Sequence, residues 1–270
     1  MALIREPAVA GCFYPSDPDE LRTTVRALLE EASPVPGPPP RALIAPHAGY
    51  EYSGAVAATA YTQLAPHRDT ITRVILLGPA HRVPVRRLAI PGSELFRTPL
   101  GLVPVDPFIF RLLDDPGVTM NMAAHRSEHS LEVQLPFLQH VLDRFKVVPL
   151  LVGAPKPETV ARVIETLWAR PGTVVIVSAD LSHYLDYASA TRMDRRTCRA
   201  IEDLENEGIG PTQTCGSEAV RGLLVACRRR GLDVKTLDLR NSGDTKGPRD
   251  RVVGYGAWMF VEEDECRSAA

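Results

Sequence analysis

The sequence lacks most of the features that assign a protein to a class at first sight. Its 31 lysines and arginines nearly balance its 33 aspartates and glutamates, for a net charge of −2. We therefore expect no nucleic-acid partner, because such partners require a strongly basic surface. No run of about eighteen apolar residues occurs, so we expect no membrane span. The N-terminal residues lack the apolar core of a secretory signal, which favours a cytoplasmic protein.

Cysteine is too sparse and too scattered to build a structural framework. The five residues, none of them in a Cys-x-x-Cys pair, are Cys12, Cys198, Cys215, Cys227 and Cys266. An odd count at these spacings argues against a disulfide scaffold or a zinc knuckle and fits a reducing cytoplasm. Cys215 lies at a predicted helix start, where the pKa of a thiol is lowered in some proteins. We interpret it instead as a small buried residue.

Short apolar runs alternate with helical patterns along the chain. The apolar runs occupy residues 42–45, 74–77, 147–152, 174–177, 234–239 and 252–261. The helical patterns occupy residues 54–64, 106–114, 130–143, 157–169, 187–207 and 217–230. Strands that are apolar on both sides need helices on both faces, which predicts a three-layer α/β fold with a mostly parallel or mixed sheet. We expect a single domain over residues 1–270.

Polar side chains follow four of these apolar runs, at the point where each run ends. His47 and His81 follow the first two runs, Asp180 and His183 follow the run at 174–177, and Asp244 follows a later one. In open α/β sheets the ligand crevice lies outside the carboxyl ends of the strands. We therefore expect these side chains to meet at one site.

Imidazole and carboxylate groups in one crevice indicate a metal site. Together they suit iron, zinc, copper or manganese, and two histidines with one carboxylate are typical of non-haem iron chemistry. The repeated placement of His47, His81 and His183 favours a functional role for all three. Asp244 is equally well explained as a turn residue, and Asp180 as the N-cap of the segment that follows it.

A further histidine, His129, opens a predicted helix. The helix dipole disfavours an imidazolium at that end, so the ring is kept neutral and available as a donor or base. We expect His129 either to support the metal ligands or to act as an acid–base group. The role of the nearby His125 is left open.

Six segments, in order from about residue 5 to residue 260, look like the signature blocks of the Memo family. They are residues 10–15 (AGCFYP), 45–50 (APHAGY), 77–81 (LGPAH), 128–132 (EHSLE), 178–183 (SADLSH) and 253–257 (VGYGA). Bacterial and archaeal members are often called AmmeMemoRadiSam system protein B. The chain thus resembles that family over nearly its whole length.

The resemblance implies a LigB-like fold, shared with the class III extradiol dioxygenases, whose iron is held by two histidines and a glutamate. In this comparison His47 and His81 match the two histidine ligands, and His183 matches the catalytic histidine. Asp244 falls where the third ligand belongs, a position at which animal Memo proteins carry a cysteine. A hard carboxylate there shifts the metal preference away from Cu(I) and towards iron or manganese.

The sequence therefore predicts a protein that holds one metal ion, with iron favoured and copper, zinc or manganese as alternatives. The predicted ligands are His47, His81 and Asp244. The expected activity is dioxygen-linked redox chemistry on a small-molecule substrate.

The remaining site residues are expected to support that chemistry rather than to hold the metal. His183 and His129 are predicted to transfer protons, and Asp180 to assist them. Two other functions stay open. One is a non-catalytic binding or assembly partner of the AMMECR-type and radical-SAM proteins that the system name implies. The other is a metal-dependent hydrolase, in which the ion activates water.

Overall fold

The fold is built on a nine-stranded mixed sheet and a small three-stranded sheet. We describe a computed structural model that covers residues 2–262. Its strands are β1 (Ile4–Arg5), β2 (Ala42–Ala45), β3 (Arg73–Pro79), β4 (Leu88–Ile90), β5 (Leu95–Thr98), β6 (Gly101–Pro104), β7 (Val118–Met120), β8 (Lys146–Val152), β9 (Thr173–Ser178), β10 (His183–Leu185), β11 (Leu232–Asn241) and β12 (Val252–Glu262).

The four central strands of the large sheet are parallel, and antiparallel pairs join them to the outer strands. Its order is β10-β12-β2-β9-β3-β8-β4-β7, with β11 also paired to β12. β2, β9, β3 and β8 run parallel to one another. β12 is antiparallel to β2, to β10 and to β11, as predicted for the last two apolar runs. β1, β5 and β6 form the small sheet.

Helices cover both faces of the large sheet. They are α1 (Pro18–Glu30), α2 (Tyr50–Tyr61), α3 (Met122–Arg126), α4 (Leu135–Val141), α5 (Pro157–Trp168), α6 (Tyr187–Glu202) and α7 (Ser217–Arg230). α5 and α7 pack together on one face, against β3 and β9, whereas α1, α2 and α4 pack on the other. Every residue of β9 is buried, as two-sided coverage requires. The predicted three-layer α/β fold with a mixed sheet is confirmed.

The predicted helices are mostly present, and their differences have local causes. α2 begins at Tyr50 rather than at residue 54, because Gly49 takes the N-cap position. The pattern at 106–114 forms a 3₁₀ helix, Pro107–Asp114, rather than an α-helix. α6 ends at Glu202, and Leu204 beyond it has a left-handed backbone with φ of 54°. Within residues 2–262 no helix combines the length and apolarity that crossing a bilayer requires.

Candidate metal centre

Three neighbouring parallel strands deliver polar residues to one edge of the sheet. β9 lies between β2 and β3, with Ala45 at the end of β2 in register with Ser178 at the end of β9. His47 follows β2, His81 follows β3 and Asp180 follows β9. Because these strands are parallel, their carboxyl ends open at the same edge, where ligands bind in such sheets.

Three imidazoles, those of His47, His81 and His129, form the centre of this edge. Their ligand atoms all lie within 4.8 Å of one another, a spacing that no other group of three His, Cys, Asp or Glu residues shows in residues 2–262. An ion bound to imidazole at about 2.0–2.1 Å keeps its ligands within about 4 Å of one another. A small inward movement of the rings therefore suffices for them to share one ion.

The Glu128 carboxylate orients the His81 ring. His81 Nδ1 lies 2.9 Å from Glu128 Oε1, and the backbone N–H of Ser130 donates to the same oxygen at 3.0 Å. Although burial alone would raise the pKa of Glu128, the adjacent His129 ring and hydrogen bonds from the His81 ring and the backbone hold it well below its usual range. An ionised carboxylate only accepts, so His81 Nδ1 carries the proton and its Nε2 keeps a free lone pair.

The His129 ring is held less tightly than that of His81. Its Nδ1 lies 3.2 Å from Glu128 Oε1, but it is buried and out of line for a hydrogen bond. The ring stacks on His81 at an interplanar angle of 25° and tilts against Phe13, with a centroid distance of 4.8 Å. Packing therefore positions His129, and its nitrogens are not committed to other partners.

The tautomer of His47 follows from the hydrogen bonds of Ser178. Ser178 Oγ donates to the carbonyl oxygen of Ser130 at 2.6 Å and accepts from Gln134 Nε2 at 2.8 Å. Its one proton is thus used, so it accepts from His47 Nδ1, 2.9 Å away. Burial lowers the pKa of His47 to about 4, which keeps the ring neutral at pH 7. His47 Nε2 therefore carries the lone pair of the ring.

Cys215 lies next to that nitrogen, which the sequence did not lead us to expect. Its Sγ is 3.3 Å from His47 Nε2, and burial raises the pKa of the thiol. The thiol is placed by the docking of its loop, because the Cys215 backbone N–H donates to the Asp180 carbonyl at 3.2 Å. Gly216 permits this close approach, since an added Cβ would lie 2.8 Å from the Cβ of Ala179. The sequence feature that could have indicated this position is the pair Cys215-Gly216 directly before a predicted helix.

Asp244 is not in this group, and His129 stands where Asp244 was expected as the third ligand. Asp244 is exposed. Its Oδ1 accepts from the Tyr187 hydroxyl at 2.6 Å and its Oδ2 from the Asn241 backbone N–H at 3.0 Å, which closes a capping box on the turn that follows β11. The structure thus places Asp244 in the turn-forming role that had been its alternative.

His183 and Asp180 both line the cleft in front of the imidazoles, but they are not partners. His183 Nδ1 lies 2.8 Å from the carbonyl oxygen of Leu181, so Nδ1 donates and Nε2 is free to accept a proton. The Asp180 carboxylate accepts from the His47 backbone N–H at 2.7 Å. Asp180 therefore orients His47, not His183 as its spacing had suggested, and no helix begins at it.

The cleft is large enough for a small organic molecule, with a volume of about 620 Å³. Aromatic and cationic side chains surround the imidazoles: Phe13, Tyr52, Arg82, Tyr184, Arg251 and Tyr255. Tyr184 has a left-handed backbone, with φ of 60°, and its side chain packs under the Arg251 guanidinium at 4.5 Å. Strained backbone of this kind is concentrated at functional sites.

Comparisons with known proteins identify the family of the chain. A family described as Memo-like protein matches residues 5–259. The chain is 36% identical to the MEMO1 family protein MK0963 of Methanopyrus kandleri, over 95% of this chain and 98% of that protein. It is also 36% identical to Protein MEMO1 of Danio rerio, over 95% and 97% of the two chains.

A solved structure shares the fold at much lower sequence identity. It is the uncharacterized protein JW3007 from Escherichia coli K12, with a TM-score of 0.51 and 14% identity, covering 82% of this chain and 99% of that one. At this identity the likeness concerns the fold alone. The family match extends over nearly all described residues and includes every residue of the imidazole group. The chain therefore belongs to the Memo family.

Proposed function

We propose that the protein holds one redox-active metal ion between His47, His81 and His129 and uses it for dioxygen-linked chemistry on a small molecule. One observation carries the proposal. Both His47 and His81 have their Nδ1 protons engaged by fixed acceptors, which leaves each Nε2 lone pair available to an ion. The His81–Glu128 pair is the carboxylate–histidine arrangement typical of metal sites, and Ser178 is the corresponding acceptor for His47.

The donor set fits iron, copper or zinc better than manganese. Three neutral imidazoles form a borderline-soft set, and the Cys215 thiol 3.3 Å from His47 Nε2 could add a soft fourth ligand. The absence of Asp244 from the group removes the hard carboxylate that had favoured iron or manganese over copper. We therefore propose iron or copper, either of which would supply redox and Lewis-acid chemistry when bound.

The side chains around the group have separate tasks in this proposal. Glu128 and Ser178 fix the ring orientations of His81 and His47. His183, with Nε2 unprotonated, accepts a proton from a substrate held in the cleft, because a ligating imidazole has no free lone pair for this purpose. Tyr184 and Arg251 form the rim that holds the substrate.

Metal analysis after anaerobic purification tests the ligand set. We expect one ion per chain in the wild type, and loss of that ion in His47→Ala, His81→Ala and His129→Ala. His183→Ala is the matched control, since it should keep the metal while dioxygen uptake in the presence of a reductant falls. Equal metal content in the wild type and the three ligand variants would refute the assignment.

The same measurement separates this proposal from its rivals. Zinc as the resident ion, without dioxygen uptake, would point to the hydrolase alternative. A site that stays empty after anaerobic handling and rejects added iron(II), copper and zinc would point to the binding-partner alternative. Loss of metal in His183→Ala as complete as in His47→Ala would move His183 among the ligands.

A further inference from the structure

A second pocket lies beside the metal cleft and shares only Arg82 with it. We call it the N-terminal pocket. It has a volume of about 690 Å³, and its walls are residues 3–9 on one side and residues 122 and 125–127 on the other, with residues 91–93 between them. This volume is in the range of small-molecule sites. The metal-site proposal does not use this pocket, so its function is a separate question.

One part of the N-terminal pocket is apolar and adaptable. Leu3 is 44% exposed and Met122 is 48% exposed, although both are large apolar residues. Met122 lies directly over Gly92, where an added Cβ would be 2.8 Å from the methionine Cγ and Sδ. A thioether side chain is unbranched and changes rotamer readily, so it adapts to ligands of different shape. The apolar surface that Leu3 and Met122 provide therefore suits a flexible alkyl group.

The other part of the pocket is cationic. Arg82 and Arg126 both line it and are exposed, and among residues 2–262 no carboxylate oxygen lies within 4.0 Å of either guanidinium. The acidic residue in the lining, Glu6, is paired with Arg97 at 2.9 Å. Two uncompensated guanidinium groups in the lining of one pocket favour an anionic ligand, to which each can donate two hydrogen bonds.

A buried hydroxyl in the floor also lacks a partner. Ser93 lines the pocket and is only 5% exposed, yet its Oγ forms no hydrogen bond with any described residue. Buried polar groups are nearly always satisfied, so an orphaned hydroxyl beneath a pocket indicates a missing acceptor or donor. An anionic head group between the two arginines would supply an acceptor when the side chain of Ser93 turns towards it.

We propose that the N-terminal pocket binds a small amphiphilic anion, that is, an anionic head group on a short alkyl chain. The head group contacts Arg82 and Arg126 and accepts from Ser93, and the alkyl chain lies against Met122 and Leu3. A carboxylate and a phosphate monoester share this head-group chemistry. The carboxylate is the smaller, planar anion that a guanidinium fork matches best.

Methionine methyl NMR tests the proposal directly in the full-length chain without added metal. The sequence has five methionines, of which Met120 and Met122 adjoin the pocket while Met193 and Met259 lie on α6 and β12. Octanoate is the probe, with octyl phosphate, butyrate and 1-octanol as comparisons. A Met122→Leu variant identifies the Met122 signal.

We expect octanoate to shift the Met122 methyl signal saturably while the Met193 and Met259 signals stay in place. Butyrate and 1-octanol should bind at least tenfold more weakly, since each lacks one half of the ligand. Arg126→Gln should weaken octanoate binding about tenfold, because a charge-assisted hydrogen bond is lost. The matched control is Arg26→Gln on α1, which removes an exposed arginine outside the pocket and should leave binding unchanged.

Three outcomes decide the matter. Shifts that do not saturate, or that reach Met193 and Met259 equally, would overturn the proposal, as would equal octanoate affinity in Arg126→Gln and the wild type. Tighter binding of octyl phosphate than of octanoate would keep the pocket and change the head group to a phosphate monoester. Because the N-terminal pocket shares only Arg82 with the metal cleft, a negative result here says nothing about the imidazole group.

Discussion

Two buried carboxylates in one short segment, Glu128 and Glu132, have very different surroundings. Glu132 is fully buried and accepts from the Arg5 guanidinium, from the Tyr14 hydroxyl at 2.6 Å and from two backbone N–H groups of residues 8 and 9. All its partners are parts of the scaffold. Glu128 instead accepts from the His81 imidazole, which faces the cleft, and from backbone N–H groups of the loops beside it, and its Oε1 lies 3.2 Å from His129 Nδ1.

The difference shows how one stretch of chain serves stability and function at once. Arg5 connects the Glu132 carboxylate to the backbone of the same segment, since its guanidinium also donates to the backbone carbonyl oxygens of Glu128 and His125. The N-terminal strand thus fastens the segment that carries His129, although it contributes no side chain to the imidazole group. We therefore expect the hydrogen bonds of Glu132 to stabilise the folded segment, and those of Glu128 to contribute to metal affinity.

Removing the Glu132 charge should have the largest effect on stability. Glu132→Gln keeps the volume but leaves the Arg5 charge buried without a partner, so we expect the free energy of unfolding to fall by about 3–5 kcal/mol. Denaturant unfolding of metal-free protein measures this. Glu6→Gln is the control, because it breaks an exposed ion pair with Arg97 and should cost about 0–1 kcal/mol. Equal losses in both variants would contradict the comparison.

Glu128→Gln should affect metal binding more than the free energy of unfolding, the reverse of Glu132→Gln. An amide nitrogen cannot accept, so the Gln side chain cannot serve both the His81 ring and the backbone N–H groups as the carboxylate does, and we expect metal affinity to fall by about 10–100-fold. Competition with a chelator of known affinity measures the metal dissociation constants of the variant and the wild type. The control is Glu51→Gln, which removes an exposed carboxylate bound to Lys246. If Glu128→Gln binds metal like the wild type, the carboxylate does not orient the ligands.

Asp194 is a third buried carboxylate, which sharpens the comparison because no cation in residues 2–262 pairs with it. Its Oδ1 accepts from the Ser182 backbone N–H at 3.0 Å, and burial raises its pKa to about 6. Since the folded pKa exceeds the ordinary value of 3.8, its contribution to stability is complete below about pH 4 and is lost as the pH rises through about 6.

Asp194→Asn should therefore stabilise the protein at neutral pH. The shift of about two pH units corresponds to about 3 kcal/mol, of which local relaxation leaves about 1–2 kcal/mol. Unfolding experiments at pH 8 should show the variant more stable than the wild type by that amount, and the difference should vanish near pH 4. Asp69→Asn, at an exposed position, should show no such trend. A variant less stable at pH 8 would indicate that the charge itself is needed.

Of the substitutions at Glu132, Glu128, Asp194 and Asp244, we expect the one at Asp244 to have the smallest effect on stability and metal binding. Its carboxylate closes a turn and bonds to Tyr187 at the surface, so Asp244→Ala should cost about 0.5–1 kcal/mol, in the range of a lost cap. We expect unchanged metal content by elemental analysis, with His129→Ala as the contrasting variant. Metal loss in Asp244→Ala would restore the ligand set predicted from the sequence.

The sequence predicted the residues whose position depends on strand order and missed those that depend on loop docking. His47 and His81 could be predicted because each follows a buried parallel strand. Cys215 could not, because hydrogen bonds from its loop to the Asp180 carbonyl place it. His129 was assigned to the site but not as a potential ligand, since the ring position depends on packing against Phe13. The LigB relationship, the native metal and the protein partners stay predictions.

The main strands of the fold were predictable because their apolar runs are long. The strands that the sequence did not predict are short. Long apolar runs at 147–152 and 174–177 indicate buried strands directly. Strands such as β1, with two residues, and β4, with three, carry too few side chains to show a period. They form because the neighbouring strands offer edges to pair with, which only the tertiary structure provides.

The tautomer of His47 depends on Ser178, a residue 131 positions further along the chain. During synthesis the N-terminal part emerges first, so the Arg5–Glu132 contact can form well before β9 is available. Until residue 178 has left the ribosome, β2 lacks its parallel neighbour and His47 lacks the acceptor that fixes its proton. We therefore expect the proposed ion to be loaded late in the biogenesis of the protein, because a chain interrupted before β9 has no preformed group of imidazoles.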